Sequence, residues 1–339
     1  MAADVLAQET EALRRGAGAF RSARDVLALR GPDAPAYLQG QLSQDVEALA
    51  VGASAESLLL EPDGKLCALV RVTRTGEQDF VLDLDGGFGE AAAARLRRFL
   101  LRSKVEMERL DWRCTSVRGH ESEQATHRLG VEAPGRGILV LPFAWNGWHG
   151  VDLLGPADAV PAPGDLPGGV RTCGPAAVEA CRIVSGVPAM GAELTNKTIA
   201  AEAGLVERTV SFTKGCYTGQ ELVARIDARG SNVARRLVGV VAPGERTTGT
   251  APLAPGMTLH AGDRPAGDGA ADDKVVGTIT SAAWSPELGS WVALGYLHRG
   301  VAAPGPVRVR SGDGTGGSRP ARVEVLPLTP AGERAHPVG

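Results

Sequence analysis

Cysteine, lysine and aromatic residues are all scarce in this chain of 339 residues. The cysteines are Cys67, Cys114, Cys173, Cys181 and Cys216. They are odd in number, scattered, and form no C-x-x-C pair. That pattern argues against a disulfide framework and a tetrahedral metal site, and points to a reducing, cytoplasmic compartment. No run of about 18 apolar residues is present, so no membrane-spanning helix is expected. The first twenty residues carry charges throughout, unlike a secretory leader. A formal net charge of −3 gives no whole-chain attraction to nucleic acid, and no direct nucleic-acid or membrane partner is expected. The glycine-rich runs "GAGAFR" and "GDGTGGS" lack the third glycine of a dinucleotide fingerprint and the lysine of a phosphate loop. Lysine stands only at Lys65, Lys104, Lys197, Lys214 and Lys274 among 36 basic residues.

The length implies two or three domains. "RDVLALR" alternates like a strand, and Pro32 and Asp33 follow it where a helix can open. Three apolar segments between residues 54 and 85 are separated by the turn sequences "PDG" and "TGEQ". "GEAAAARLRRFLLRSK" predicts a helix with Leu96, Phe99 and Leu100 inward and Arg95, Arg98 and Arg102 on a solvated stripe, followed by the strand "KVEMERL". Strands, helix, strand is an α+β pattern. Residues 156 to 175 read as a connection, and "PAAVEACRIVSG" as a helix from Pro175 to a stop at Gly186. From about Arg235, short β-rich runs broken by glycine and proline predict a barrel-like domain, with loops at "TTGTAPLAPG" and "RPAGDGAADDK". Asp83 and Asp85, two apart, share one strand face and read as a solvated strand end or a carboxylate pair. Trp145 and Trp148 either pack a hairpin or stack on a ring.

The densest chemistry lies in "SFTKGCYTGQELVAR", residues 211 to 225. "VERTVSF" before it is β-like. Thr218 and Glu221 have capping-box spacing, Leu222 and Ile226 share a helical face, and Gly230 is a stop. Lys214 and Cys216 therefore stand in a turn at a helix N-terminus, where partial positive charge favours a thiolate or a bound anion. Without a histidine nearby in sequence, a Cys–His nucleophile would need the fold to assemble it. The alternative is that the glycines supply backbone freedom and Cys216 is a small buried hydrophobe.

"KGCYTGQE" with "ARIDARG" resembles the motif of the YgfZ-type folate-binding proteins, relatives of the glycine-cleavage T-protein (aminomethyltransferase) and of mitochondrial iron–sulfur assembly factors. "GPDAPAYLQGQLSQDVEAL", "RIVSGVPAMGAEL" and "GTITSAAWSPELGSWVALGYL" extend the resemblance over most of residues 20 to 330. It implies an α+β T-protein-like fold of antiparallel sheets and helices around a central channel. Residues 18–236 would form the folate-binding region, as two interleaved α+β domains, and residues 237–330 a C-terminal β-barrel. The implied cofactor is tetrahydrofolate or a derivative, and the implied partners are iron–sulfur proteins or assembly factors, including tRNA-modifying enzymes. Carried over by position, Cys216 would be the reactive thiol with Lys214 beside it. Glu202 in "AAEAGL" would hold the pterin, and Tyr217, Gln220 and Arg225 would take part in folate binding. Glu221 keeps its cap role.

The T-protein's Asn-Ala loop with its aspartate has no counterpart in "FVLDLDGGFGEAAAARL", where Asp83, Asp85 and Glu90 are the nearby acids. Whether a reaction is catalysed stays open. An accessory protein for iron–sulfur enzymes is the leading reading, a folate-dependent aminomethyltransferase or demethylase the second, and a folate-independent thiol protein the third.

Overall fold

The computed structural model describes residues 2–132, 134–230, 232–244, 253–262, 274–311 and 317–328. In chain order the elements are α1 (Ala2–Arg14), β1 (Gly18–Ser22), β2 (Arg24–Arg30), α2 (Ala34–Gln41), β3 (Ser54–Leu60), β4 (Leu66–Arg74), β5 (Asp79–Asp85), α3 (Gly89–Arg97), β6 (Glu106–Leu110) and β7 (Trp112–Arg118). They continue with α4 (Ser122–Glu132), β8 (Leu139–Trp145), β9 (Trp148–Pro156), β10 (Arg171–Thr172), α5 (Pro175–Ser185), α6 (Val206–Thr209) and α7 (Gln220–Asp227). The last six are β11 (Arg235–Ala242), β12 (Thr258–Ala261), β13 (Val275–Ser285), β14 (Ser290–His298), β15 (Gly305–Arg310) and β16 (Arg319–Glu324). Among the described residues no helix is long and apolar enough to cross a membrane.

Two five-stranded sheets and a closed barrel organise these elements. One sheet has the order β3-β4-β5-β2-β6 and is antiparallel throughout. The other has the order β10-β1-β7-β9-β8, with only the short β1–β10 pair parallel. Single residues connect them. Ala23 carries the chain from β1 to β2, and Asp111 carries it back from β6 to β7.

Each sheet has an outer face packed on helices or loops and an inner face turned to the other sheet. α2 and α3 cover the first sheet through Tyr37, Leu38, Ala92, Ala93 and Leu96, which pack on Leu27, Leu29, Val70, Val72, Phe80 and Leu82. On the second sheet, Ala19, Val117 and Val151 pack outward with Ala125 of α4. Because side chains alternate along a strand, the residues between these point inward.

The barrel runs β11-β14-β13-β12-β15-β16 and closes on itself, as the β-rich runs from Arg235 predict. Its interior is filled by Val238, Val240, Leu259, Ile279, Ala293, Leu297, Val307, Val309 and Val323. The two expected loops lie largely outside the described residues. α5 seats the barrel on the rest of the molecule through Ile183 and Val184 against Val292, Leu294 and Leu328. A buried polar latch stands beside this contact. The fully buried Glu193 accepts from Arg182 at 2.9 Å and from Thr280 and Ser281 at 2.6 Å each.

α5 begins at Pro175 and ends at Gly186 in the left-handed region, as its sequence signals require. Four expectations need correction. α3 stops at Arg97, well short of Lys104. Arg95 is fully buried, not solvated, because its guanidinium donates to Leu60 O and Gln41 Oε1, whereas Phe99 is 40% exposed. "VERT" is one turn of helix, not a strand, closed by Thr209 N–H and Thr209 Oγ1 donating to Leu205 O. Asp83 is fully buried, so the solvated strand end is wrong there.

Candidate functional site: a cavity between the sheets

A cavity of about 750 Å³ opens between the inner faces of the two sheets, with α5 and residues 187–189 as a side wall. That size lies within the range of small-molecule sites. Phe20, Phe143, Trp145 and Trp148 are among the residues that line it. Trp145 and Trp148 flank the β8–β9 turn, and Phe143 meets Trp148 edge-on at 5.5 Å between ring centroids. Packing a hairpin and presenting a ring surface are thus one arrangement here.

A chain of buried charges crosses from one sheet to the other beside this wall. Arg24 on β2 and Arg71 on β4 both donate to Asp83 on β5, Arg24 from Nε at 2.8 Å and Arg71 through two bonds at 2.9 and 3.0 Å. Arg71 Nη1 then reaches across to Asp152 on β9 at 2.7 Å, and Arg118 on β7 meets the same carboxylate at 2.7 Å. Asp85 takes the other end of Arg24 at 2.7 Å and accepts from Met190 N. The Arg118 guanidinium lies 3.8 Å from the centroid of Phe143. Alternation put these residues inward, and the low-dielectric position forces them to pair.

Burial opposes ionisation of Asp83 and Asp152. The guanidiniums of Arg71 and Arg24 around Asp83, and of Arg118 and Arg71 around Asp152, outweigh it and hold both carboxyls below the ordinary aspartate range. Acids depressed in the folded state bind fewer protons folded than unfolded. Their stabilisation is complete above the unfolded value and is lost as pH falls through the lower folded values. Urea midpoints are expected to lose this contribution progressively below about pH 5. Asp83→Asn should start lower and show a shallower acid dependence; an unchanged slope would remove the network from the explanation.

Every carboxylate lining the cavity has an arginine partner: Glu56 with Arg208, Asp85 with Arg24, Asp152 with Arg71 and Arg118, and Glu179 with Arg182. No histidine lines it. The lining thiol of Cys173 is pushed up to about 12, chiefly by burial and also by Glu9. The cavity therefore offers aromatic surface, cations and hydrogen bonds, but no free general base or thiolate.

The sequence motif stands apart from this cavity: Glu202, Lys214, Cys216, Tyr217, Gln220, Glu221 and Arg225 are all absent from its lining. Lys214 Nζ donates to the carbonyls of Gln39, Leu42 and Gln44 at 2.6, 2.7 and 3.0 Å. All three of its N–H bonds are engaged, so it clasps the segment after α2 and does not present itself to an anion. Burial lowers its ammonium to about 8, against Asp45 and Glu47. Tyr217 is buried with Leu58, Leu60, Leu194 and Trp145, and that burial pushes its phenol up to about 12. Through Trp145 this packing joins the motif to the cavity wall. Glu202 is buried and ion-paired with Arg235 at 3.0 Å. Arg225 and Glu221 are exposed.

The cap differs from the expected box. α7 begins after Gly219, which has φ +85°, so Thr218 lies outside the capping position and no side chain caps the helix. Gln220 Oε1 accepts from Tyr217 N instead, and Thr218 N donates to Gly40 O. Gly219 is required twice, by its φ and because a Cβ there would stand 2.6 Å from Glu61 O. Cys216 is the one exposed cysteine of the five.

Residues 235–328 match the family described as the glycine cleavage T-protein C-terminal barrel domain. The chain superposes on the glycine cleavage system aminomethyltransferase T from Bartonella henselae with a TM-score of 0.80 at 22% identity, covering 96% of this chain and 89% of that one. The chain has the T-protein fold. An aminomethyltransferase of Streptomyces avermitilis is 27% identical over 342 residues, covering 94% of this chain and 87% of its own length. One from Thermus thermophilus is 26% identical over 347 residues, covering 96% and 90%. An uncharacterized protein of Haemophilus influenzae is 29% identical over 214 residues, covering 61% of this chain and 67% of its own length. These relatives support placement in the T-protein superfamily.

Within this T-protein fold, the cavity arginines and Asp152 escaped sequence reading. Their signal was a charge embedded at an inward phase of an apolar strand, as in "LCALVRVTR", "WRCTSVRG" and "GVDLLG".

Proposed function

We propose that this protein binds tetrahydrofolate or a derivative in the cavity between its sheets. We further propose that it is a cytoplasmic accessory protein for iron–sulfur cluster assembly or repair, with client enzymes that include tRNA-modifying ones. The observation that carries the binding reading is the cavity itself. A reduced folate has a flat heterocycle, a benzoyl ring and an anionic glutamate tail. The cavity sets aromatic side chains beside arginines in one space of about 750 Å³. Phe143, Trp145 and Trp148 would hold the rings. Arg21, an exposed arginine of the lining, would meet the tail. Folates carry one-carbon units between acceptors.

The accessory role rests on the likeness of "KGCYTGQE" to the YgfZ-type motif and on the exposed thiol of Cys216. A folate-dependent aminomethyltransferase is the second reading, favoured by relatives of that name that match along nearly the whole chain. The arginine pairing of every lining carboxylate weighs against it, because a carboxylate already engaged by a guanidinium is a poor proton acceptor.

A deletion strain should lose activity of iron–sulfur enzymes under oxidative stress. The wild-type chain should restore it and Cys216→Ala should not. Full restoration by Cys216→Ala would refute a working thiol; turnover of an aminomethyl or N-methyl substrate with tetrahydrofolate would establish the second reading.

A further inference from the structure

One hydroxyl in the cavity has its proton direction fixed by its neighbours. Ser22 on β1 lines the cavity, and its Oγ lies 2.7 Å from Ser116 Oγ on β7. Ser116 Oγ lies 2.6 Å from Asp152 Oδ1. Asp152 also accepts from Arg118 and from Arg71, each at 2.7 Å, and is held ionised. An ionised carboxylate only accepts, so Ser116 must give Asp152 its single proton. Ser116 then has none for Ser22, and the contact between the hydroxyls requires Ser22 to donate. Cys114 Sγ, 3.8 Å from Ser116 Oγ, leaves this unchanged, because Ser116 has a second lone pair. Ser22 is thus left with lone pairs and no proton to offer a ligand.

We propose that Ser22 is a specificity-determining residue that accepts a hydrogen bond from one of the two pterin ring nitrogens that carry hydrogen only after reduction, and so selects the reduced form over the oxidised form. The inference rests on the folate reading of the cavity. Reduction of the pterin ring converts two ring nitrogens from acceptors into N–H donors. An acceptor-only hydroxyl pairs with such a donor and opposes the lone pair of the oxidised ring. A hydroxyl free to rotate would serve either form. The order is imposed from Asp152 through Ser116, so Ser116 is a positioning residue for Ser22.

The test is the ratio of affinities for tetrahydrofolate and folic acid, measured anaerobically on the full chain by titration calorimetry. The wild type should favour tetrahydrofolate. Ser22→Ala should lower the ratio by about tenfold, the size of one hydrogen bond with its unpaired partner. Ser22→Thr, which keeps the hydroxyl, should retain the ratio. Ser116→Ala, which frees the Ser22 proton, should lower it although Ser22 is present, an effect that a merely space-filling Ser22 would not produce. A wild-type ratio in Ser22→Ala or in Ser116→Ala overturns the proposal while leaving the cavity reading intact. Failure of the wild type to bind either form overturns both.

Discussion

Asp152→Ala is expected to destabilise the protein by about 3–5 kcal/mol, the effect of removing one partner from a buried ionic network. Asp152 is 6% exposed and is the single group that receives Arg71 from one sheet and Arg118 from the other. Without it, two guanidiniums remain beside the cavity with less compensation, and Ser116 loses its acceptor. Asp85→Ala should cost much less. The Asp85 side chain is 39% exposed, and its removal leaves Arg24 still paired with Asp83. The check is urea unfolding followed by fluorescence of the tryptophans, two of which, Trp145 and Trp148, line the same cavity. Equal losses from Asp152→Ala and Asp85→Ala would show that the charge chain does not hold the sheets together.

The contrast between these aspartates shows how far the sequence could be read. Period-two alternation marks β2, turn sequences separate the apolar runs that form β3, β4 and β5, and Pro175 with Gly186 brackets α5, because those signals act within a few residues. The texture change near Arg235 marked the barrel for the same reason. Asp83 and Asp85 look alike in sequence, yet one is wholly buried and the other is not. The difference is made by Arg71 and by the second sheet, whose strands lie far along the chain. The placement of Lys214 differs from its expectation on similar grounds. A lysine beside a helix N-terminus suggests an anion site, whereas the carbonyls of Gln39, Leu42 and Gln44 come from about 170 residues earlier. In the motif, Gly219 and Tyr217 have sufficient structural reason, and Gln220 is engaged with backbone. Cys216 is exposed, as are Glu221 and Arg225, and burial accounts for none of these three.

The second large effect concerns the cavity. Val178 lines it from α5, on the same helical face as Pro175, Glu179 and Arg182. Val178→Trp would project an indole into the space and should weaken tetrahydrofolate binding by at least about 100-fold, or about 2.7 kcal/mol. The position is half-buried, so the strain of the larger side chain should stay within about 1–3 kcal/mol and leave the chain folded. Glu202→Ala should bind as the wild type does, because Glu202 pairs with Arg235 away from the cavity lining. This reverses the pterin role that its sequence context suggests.

On this reading, ligand binding and the exposed thiol belong to different places on one T-protein fold. Titration of the purified wild type, Val178→Trp and Cys216→Ala with tetrahydrofolate tests it most directly. Saturable binding is expected for the wild type and Cys216→Ala, and loss of binding for a folded Val178→Trp. Binding that survives in Val178→Trp but disappears in Cys216→Ala would contradict it.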